Sequence, residues 1–176
     1  MTPSRIVLVG FMASGKSTLG RELARRLGWG FRDLDAWIEE RNGASVPEIF
    51  ASLGEPAFRE LEREAAAAAG ELREHVIAAG GGAFAQPATR ALLRSGAISV
   101  WLRCRLETVL ERVGDGRGRP LACNRATIEK LFAEREPSYR LAEIAVDTDS
   151  ASPEELTEHL TRNILGPTVE RRVRGA

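Results

Sequence analysis

The sequence has 176 residues and balances 25 lysines and arginines against 25 acids, so its formal net charge is zero. That length predicts one domain with a full hydrophobic core, and the charge balance argues against a general nucleic-acid binder. No apolar run reaches the length of a membrane span, no leader precedes the first apolar segment, and Cys104 and Cys123 match no metal or redox spacing, so the expectation is a cytoplasmic protein with reduced thiols.

The strand-type run Arg5-Ile6-Val7-Leu8-Val9 enters Gly10-Phe11-Met12-Ala13-Ser14-Gly15-Lys16-Ser17-Thr18. Gly10, Gly15, Lys16 and Ser17 fit the spacing G-x-x-x-x-G-K-[ST] of a phosphate-binding loop. Glycines let the backbone curl so that successive N–H groups converge on phosphate oxygens, and the helix that follows adds its positive end. Lys16 can reach β/γ-phosphates, and the Ser17 hydroxyl can complete a Mg²⁺ shell otherwise filled by water and phosphate. The chain writes arginine almost everywhere, its lysines being Lys16 and Lys130, so a lysine kept inside this loop points to a need for a compact ammonium.

A first helix is predicted from Gly15 to about Leu27, with Leu19, Leu23, Ala24 and Leu27 as its buried stripe. Trp29 to Asp35 reads as a short strand ending in two acids, before a helix over Ala36 to Arg41. In an extended segment Asp33 and Asp35 point the same way, and at the sheet's C-terminal edge they would face the ligand crevice. One could hold a magnesium-bound water and the other orient or deprotonate a hydroxyl; alternatively Asp35 caps the next helix and Asp33 is a solvated acid. Ser45 and Glu48 form a capping box for a helix through Phe50, Gly54-Glu55-Pro56 breaks it, and a long helix runs from Pro56 to about Ala69. Phe58, Leu61 and Ala65 share one face of that helix; Arg59 lies opposite, among acids, as a solvated ion-pairing residue would.

Val76 to Ala79 is a further strand, ending in Gly80-Gly81-Gly82. Three consecutive glycines suit a backbone that must approach a ligand closely. Helices follow from Pro87 to about Arg94 and from Leu106 to Val113, separated by the strand Ile98 to Leu102. The glycine-rich stretch after Val113, with Arg112, Arg117 and Arg119, reads as a lid delivering positive charge on closure, or as a solvated basic loop. A helix is predicted from Asn124 through Glu134, with Arg135 as a helix-end charge, then a strand at Ile144 to Thr148. Ser152 caps a last helix that Gly166-Pro167 ends, and an Arg-rich tail remains. His75 and His159 have no ligand-type neighbours and read as surface or helix-end residues.

The motifs in this order resemble those of shikimate kinases: GFMASGKST, FRDLDAWIEE, SVPEIFASLGEPAFRELE, GGGA, RALL…VWL, RPL and EREPSY…VDT, together covering nearly everything from Arg5 to Leu165. The resemblance implies an α/β P-loop kinase fold, a five-stranded parallel sheet of order 2-3-1-4-5 with helices on both faces and a mobile lid at about 113–124. The residues themselves give the expectation of a single domain over 1–166, a disordered tail at 167–176 and no nucleic-acid or membrane partner, and the resemblance implies a monomer. The implied reaction transfers the γ-phosphoryl of ATP to the 3-hydroxyl of shikimate, with Mg²⁺. Carried over residue by residue, Ala13, Ser14, Gly15, Lys16, Ser17 and Thr18 match the ATP loop, and Ser17 and Asp33 the metal ligands. Asp35 matches the acid on the reacting hydroxyl. Arg59 and Arg135 match the clamp on the substrate carboxylate, Gly80 and Gly81 the backbone against its ring. Arg119 matches the lid cation on the transferring phosphate, and Arg112 a residue near adenine. The chain departs from the pattern at Ala122-Cys123-Asn124 after the lid and at Asp149 to Ser152, where no arginine faces adenine. A gluconate kinase would share the loop but lack the paired clamp; a ligand-sensing domain would be free to lose Lys16, Asp35 or Arg119.

Overall fold

Every residue of strand β1 (Arg5–Val9) is buried. Ile6 and Leu8 enter one hydrophobic cluster, Val7 and Val9 another. A strand covered on both faces reads as an unbroken apolar run, which is why no alternation marks it in the sequence. The computed structural model describes residues 3–113 and 124–165. The chain continues through α1 (Lys16–Leu27), β2 (Gly30–Asp33), α2 (Leu34–Asn42), α3 (Val46–Gly70), β3 (His75–Ala78), a 3₁₀ turn (Ala83–Ala85), α4 (Pro87–Arg94), β4 (Ile98–Arg103), α5 (Leu106–Val113), α6 (Arg125–Tyr139), β5 (Ile144–Asp147) and α7 (Pro153–Leu165). Among the described residues the strands form one five-stranded sheet, ordered β2-β3-β1-β4-β5 and parallel at every pairing. The expected α/β fold and strand order are therefore present.

Leu19, Leu23 and Leu27 of α1 pack with Leu156 and Leu160 of α7 beneath one face of the sheet. Ile49, Phe58, Ala65 and Ala69 of α3 join Leu93 of α4 and Ile128 of α6 on the other. Because β1 lies between β3 and β4, the chain turns to opposite faces at its C-terminal edge, and that edge is where an open parallel sheet leaves a crevice. At the opposite end Arg5, 3% exposed, donates to the carbonyls of Gly70, Leu72 and Ser95, tying the ends of α3 and α4 to the central strand. No helix among the described residues is long and apolar enough to cross a membrane.

Two local expectations change and one holds. Asp33 is the N-cap of α2, its carboxylate accepting from the N–H groups of Asp35 and Ala36, so Asp35 stands in a first helical turn and not beside Asp33 on an extended strand. Capping satisfies orphan amide groups, and that gain ends the strand two residues early. The expected break falls at Gly54 (φ 78°, ψ 172°), since only a residue without Cβ takes that conformation cheaply, and the second helical stretch resumes directly at Glu55-Pro56. Finally, α6 runs through Pro137 to Tyr139, which makes Arg135 a helix-interior residue, 8% exposed, and not a terminal surface charge. The lid stretch with Arg117, Arg119 and Cys123, and the tail from 166, lie outside the described residues.

Candidate active site

A cleft of about 730 Å³ opens along the C-terminal edge of the sheet, a size suited to small molecules. Ala13, Ser14, Gly15, Lys16, Ser17 and Thr18 line it, together with Asp33, Asp35, Arg59, Gly81 and Arg135. Arg112 lines the phosphate-loop end, together with Thr148 and Pro153. Among the residues singled out from the sequence, the structure thus brings together Ala13 and Arg135, 122 positions apart. Gly80 stands just behind the wall: a Cβ there would lie 2.5 Å from Asp35 Oδ1 and 2.9 Å from Glu62 Oε1. Arg119 is outside the described residues.

The phosphate loop takes its shape from Gly10 (φ 145°) and Gly15 (φ 93°), and also from Ala13, which sits at φ 61° despite its Cβ. A left-handed alanine is strained by about 1–2 kcal/mol, so the loop holds that conformation against local preference. Lys16 Nζ donates to the carbonyls of Gly10 and Phe11 at 3.0 and 2.8 Å, curled back over its own loop. Arg112 reaches across from α5 to the Ala13 carbonyl at 3.2 Å and the Thr148 carbonyl at 3.4 Å, bridging the loop to the end of β5. The Ser17 hydroxyl donates to Asp33 Oδ2 at 2.5 Å. That hydroxyl and carboxylate are hard oxygen donors at the loop's helix start and fit a Mg²⁺ ion. No cluster of three or more His, Cys, Asp or Glu ligands accompanies them among the described residues.

Burial pushes the Asp35 carboxyl above its ordinary value, the nearby Asp33 charge adds to that, and Lys16 and Arg59 pull against it. Opposite stands Arg59, whose Nε and Nη2 donate to Glu55 Oε1 at 3.2 and 2.7 Å and whose Nη1 donates to Glu62 Oε2 at 2.8 Å. Far from being solvated, the Arg59 side chain is 17% exposed and its Glu62 partner 1%. Arg135 comes in from α6 with its guanidinium 5.8 Å from the centre of the Phe11 ring. Two arginines, one of them held by Glu55 and Glu62, and a glycine turn therefore share one donor-rich cleft with a carboxyl of raised proton affinity and a phosphate loop.

Sequence reading passed over two residues here. Glu62 stands among the acids around Arg59 in sequence, yet Phe58, Glu62, Ala65 and Ala69 recur at helical spacing and are all buried, so an acid inside an apolar stripe is the signal. Tyr139, 2% exposed, donates its hydroxyl to the Gly81 carbonyl, and nothing local in the sequence announces that contact. Cys104 is buried and free, and burial raises its thiol to about 11, so it acts as an uncharged packing group.

Comparison with known proteins supplies the remaining evidence. The family model described as shikimate kinase matches residues 12–165. A shikimate kinase of Moorella thermoacetica is 51% identical over 149 residues, covering 84% of this chain and 86% of that protein. One from Geobacter sulfurreducens is 46% identical over 158 residues, covering 88% and 87%. Among solved structures, the shikimate kinase of Acinetobacter baumannii in complex with shikimate superposes with a TM-score of 0.89 at 34% identity, covering 96% of each chain. Sequence, fold and cleft agree, and the chain belongs to the shikimate kinase family.

Proposed function

We propose that this chain transfers the γ-phosphoryl group of ATP to the 3-hydroxyl of shikimate, giving shikimate 3-phosphate, in the route to aromatic amino acids. The observation that carries the reading is the meeting, in one cleft, of a phosphate loop, an Arg59/Arg135 pair and Asp35. A small hydroxylated carboxylate needs cations at one end and a hydrogen-bond acceptor for the hydroxyl at the other. Arginine offers paired donors in a planar fork matched to a carboxylate.

In this reading Arg59 and Arg135 clamp the carboxylate, and Gly81, flanked by Gly80, lets the backbone meet the ring. Asp35 accepts a hydrogen bond from the 3-hydroxyl and so orients its oxygen in line with the γ-phosphorus. As the new P–O bond forms and the bond to the β-phosphate oxygen breaks, the hydroxyl proton passes to Asp35, whose raised proton affinity equips it to take it. Amide groups from Ala13 to Thr18 and the Lys16 ammonium hold the β- and γ-phosphates, which requires Lys16 to leave the Gly10 and Phe11 carbonyls. Ser17 and Asp33 would hold Mg²⁺, which supplies charge neutralisation on the phosphates when bound. Arg119 is assigned to the γ-phosphate oxygens and Arg112 to the adenine side. The wider proposal is a cytoplasmic monomer of one domain over 1–166, with a lid at about 113–124 and a disordered tail.

The test is ADP release from Mg-ATP with shikimate, with gluconate and with no acceptor. Shikimate-dependent release, abolished by EDTA and lost in Asp35→Asn, is the expected result. Release with gluconate instead, or none from protein that still binds nucleotide, overturns the reading.

A further inference from the structure

Tyr139 is the one tyrosine of the sequence. It ends α6, four residues and one helical turn beyond Arg135, so both project from the same face of that helix. Its ring lies 6.4 Å from that of Trp101, and its hydroxyl donates to the carbonyl of Gly81. The neighbouring carbonyl, of Gly80, accepts from the Ala83 N–H at 3.1 Å.

Those two bonds fix two successive peptide planes. In a trans peptide the C=O and the next N–H point in opposite directions. Ala83, by holding the Gly80 carbonyl, sets the direction of the Gly81 N–H; Tyr139, by holding the Gly81 carbonyl, sets that of the Gly82 N–H. Both glycines line the cleft, and none of the N–H groups of Gly80, Gly81 and Gly82 meets a backbone or side-chain acceptor among the described residues. A run of three glycines has no side chains to hold its peptides in place, so an external hydrogen bond is what selects one orientation among many.

We infer that Tyr139 is a positioning residue for substrate binding: its hydroxyl locks the 81–82 peptide so that the turn offers its amide groups to the substrate beside Arg59 and Arg135. One helix thereby supplies both the cation, through Arg135, and the brace that aims the opposing backbone donors, through Tyr139. Burial raises the phenol far above its ordinary value, although the charge of Arg135 and a hydrogen bond from that guanidinium to the hydroxyl pull the other way, so the hydroxyl keeps its proton, accepts from Arg135 and donates to Gly81.

This rests on the substrate site proposed above, and the experiment separates the two. Tyr139→Phe keeps the ring against Trp101 and removes only the hydroxyl. The expected result is a rise of about 5- to 20-fold in the KM for shikimate, the size set by one buried acceptor losing its donor, with kcat and the KM for ATP within about twofold of the native values. A shikimate KM unchanged in folded Tyr139→Phe overturns the inference, and so does an equal loss in kcat and both KM values, which marks a merely structural tyrosine. Arg135→Ala and Arg59→Ala are measured alongside: if neither raises the shikimate KM, the substrate site itself is wrong. A second readout leaves the side chain in place. Biosynthetic 3-fluorotyrosine labels this position alone, and its ¹⁹F resonance should shift on adding shikimate without nucleotide; an unmoved resonance under saturating shikimate counts against the inference.

Discussion

Arg59 Nη1 and Glu62 Oε2 stand 2.8 Å apart, and the acid of the pair is 1% exposed. A buried carboxylate one helical turn away fixes the direction of the guanidinium and leaves its Nη2 edge, now on Glu55, to be exchanged for a ligand. Glu62→Gln is expected to raise the shikimate KM about tenfold while changing kcat far less, because it loosens the clamp without touching the phosphate loop.

The glycine turn separates two effects. A Cβ at Gly82 would meet Arg59 Nη1 at 2.5 Å and Nη2 at 2.8 Å, whereas one at Gly80 would meet Asp35 Oδ1 at 2.5 Å. Gly82→Ala should therefore displace the clamp and raise the shikimate KM, about tenfold or more, by the same reasoning as for Glu62. Gly80→Ala should displace Asp35 and lower kcat, by on the order of 10²-fold, the low end of what general-base placement supplies, with a smaller rise in the shikimate KM because the same Cβ presses on Glu62 Oε1 at 2.9 Å. Steady-state kinetics on both variants check the split.

The raised proton affinity of Asp35 predicts two pH effects of opposite benefit. If the ionised carboxylate is the working form, kcat falls as pH drops through a value above the ordinary carboxylate range, and Asp35→Asn loses the activity, by about 10²–10⁴-fold. For stability the sign reverses. The folded protein binds this proton more tightly than the unfolded chain, so Asp35 favours folding at low pH, and that contribution is lost as pH rises from the ordinary value through the raised one. Asp35→Asn should therefore melt higher than the native protein at pH 7, with the gap in Tm closing in acid. Thermal melts between pH 3 and 8 check it.

Arg5 is engaged by three carbonyls at the end of the sheet away from the cleft. Arg5→Met keeps the stem and removes the donors, stranding buried acceptors at about 1 kcal/mol or more each. A loss of about 3 kcal/mol, or roughly 6–12 °C in Tm for a chain of this size, is expected, with KM values unchanged. Calorimetry together with kinetics at 25 °C tests both halves.

Much of this was legible in the residue order because its signals are local. The phosphate loop is a contiguous pattern, and the apolar runs of β1 and β4 declare buried strands. Asp33 and Asp35 show where local reading stops: the spacing suggested one extended face, while the capping bonds of Asp33 placed Asp35 in a helix. Arg135 shows the same limit, since Pro137 suggested a helix ending that packing overrode. Glu62 and Tyr139 acquire their roles from partners on other elements or from burial, which no window of neighbouring residues contains. Family resemblance supplied the pairing of Arg59 with Arg135; their distance in sequence is bridged only by the fold.

The strand order carries a consequence for synthesis on the ribosome. Ile6 of the central strand pairs with Val76 on one side and Ile98 on the other, so β1 is made first and has no strand to bond until roughly 70 more residues exist. At about 5–20 residues per second, its apolar edges wait on the order of 4–14 s for β3 and longer for β4. The nascent chain thus passes through an interval in which its most hydrophobic strand is its least protected. That interval, and not the finished domain, is where a trigger-type chaperone or a slow codon would change the yield of active protein.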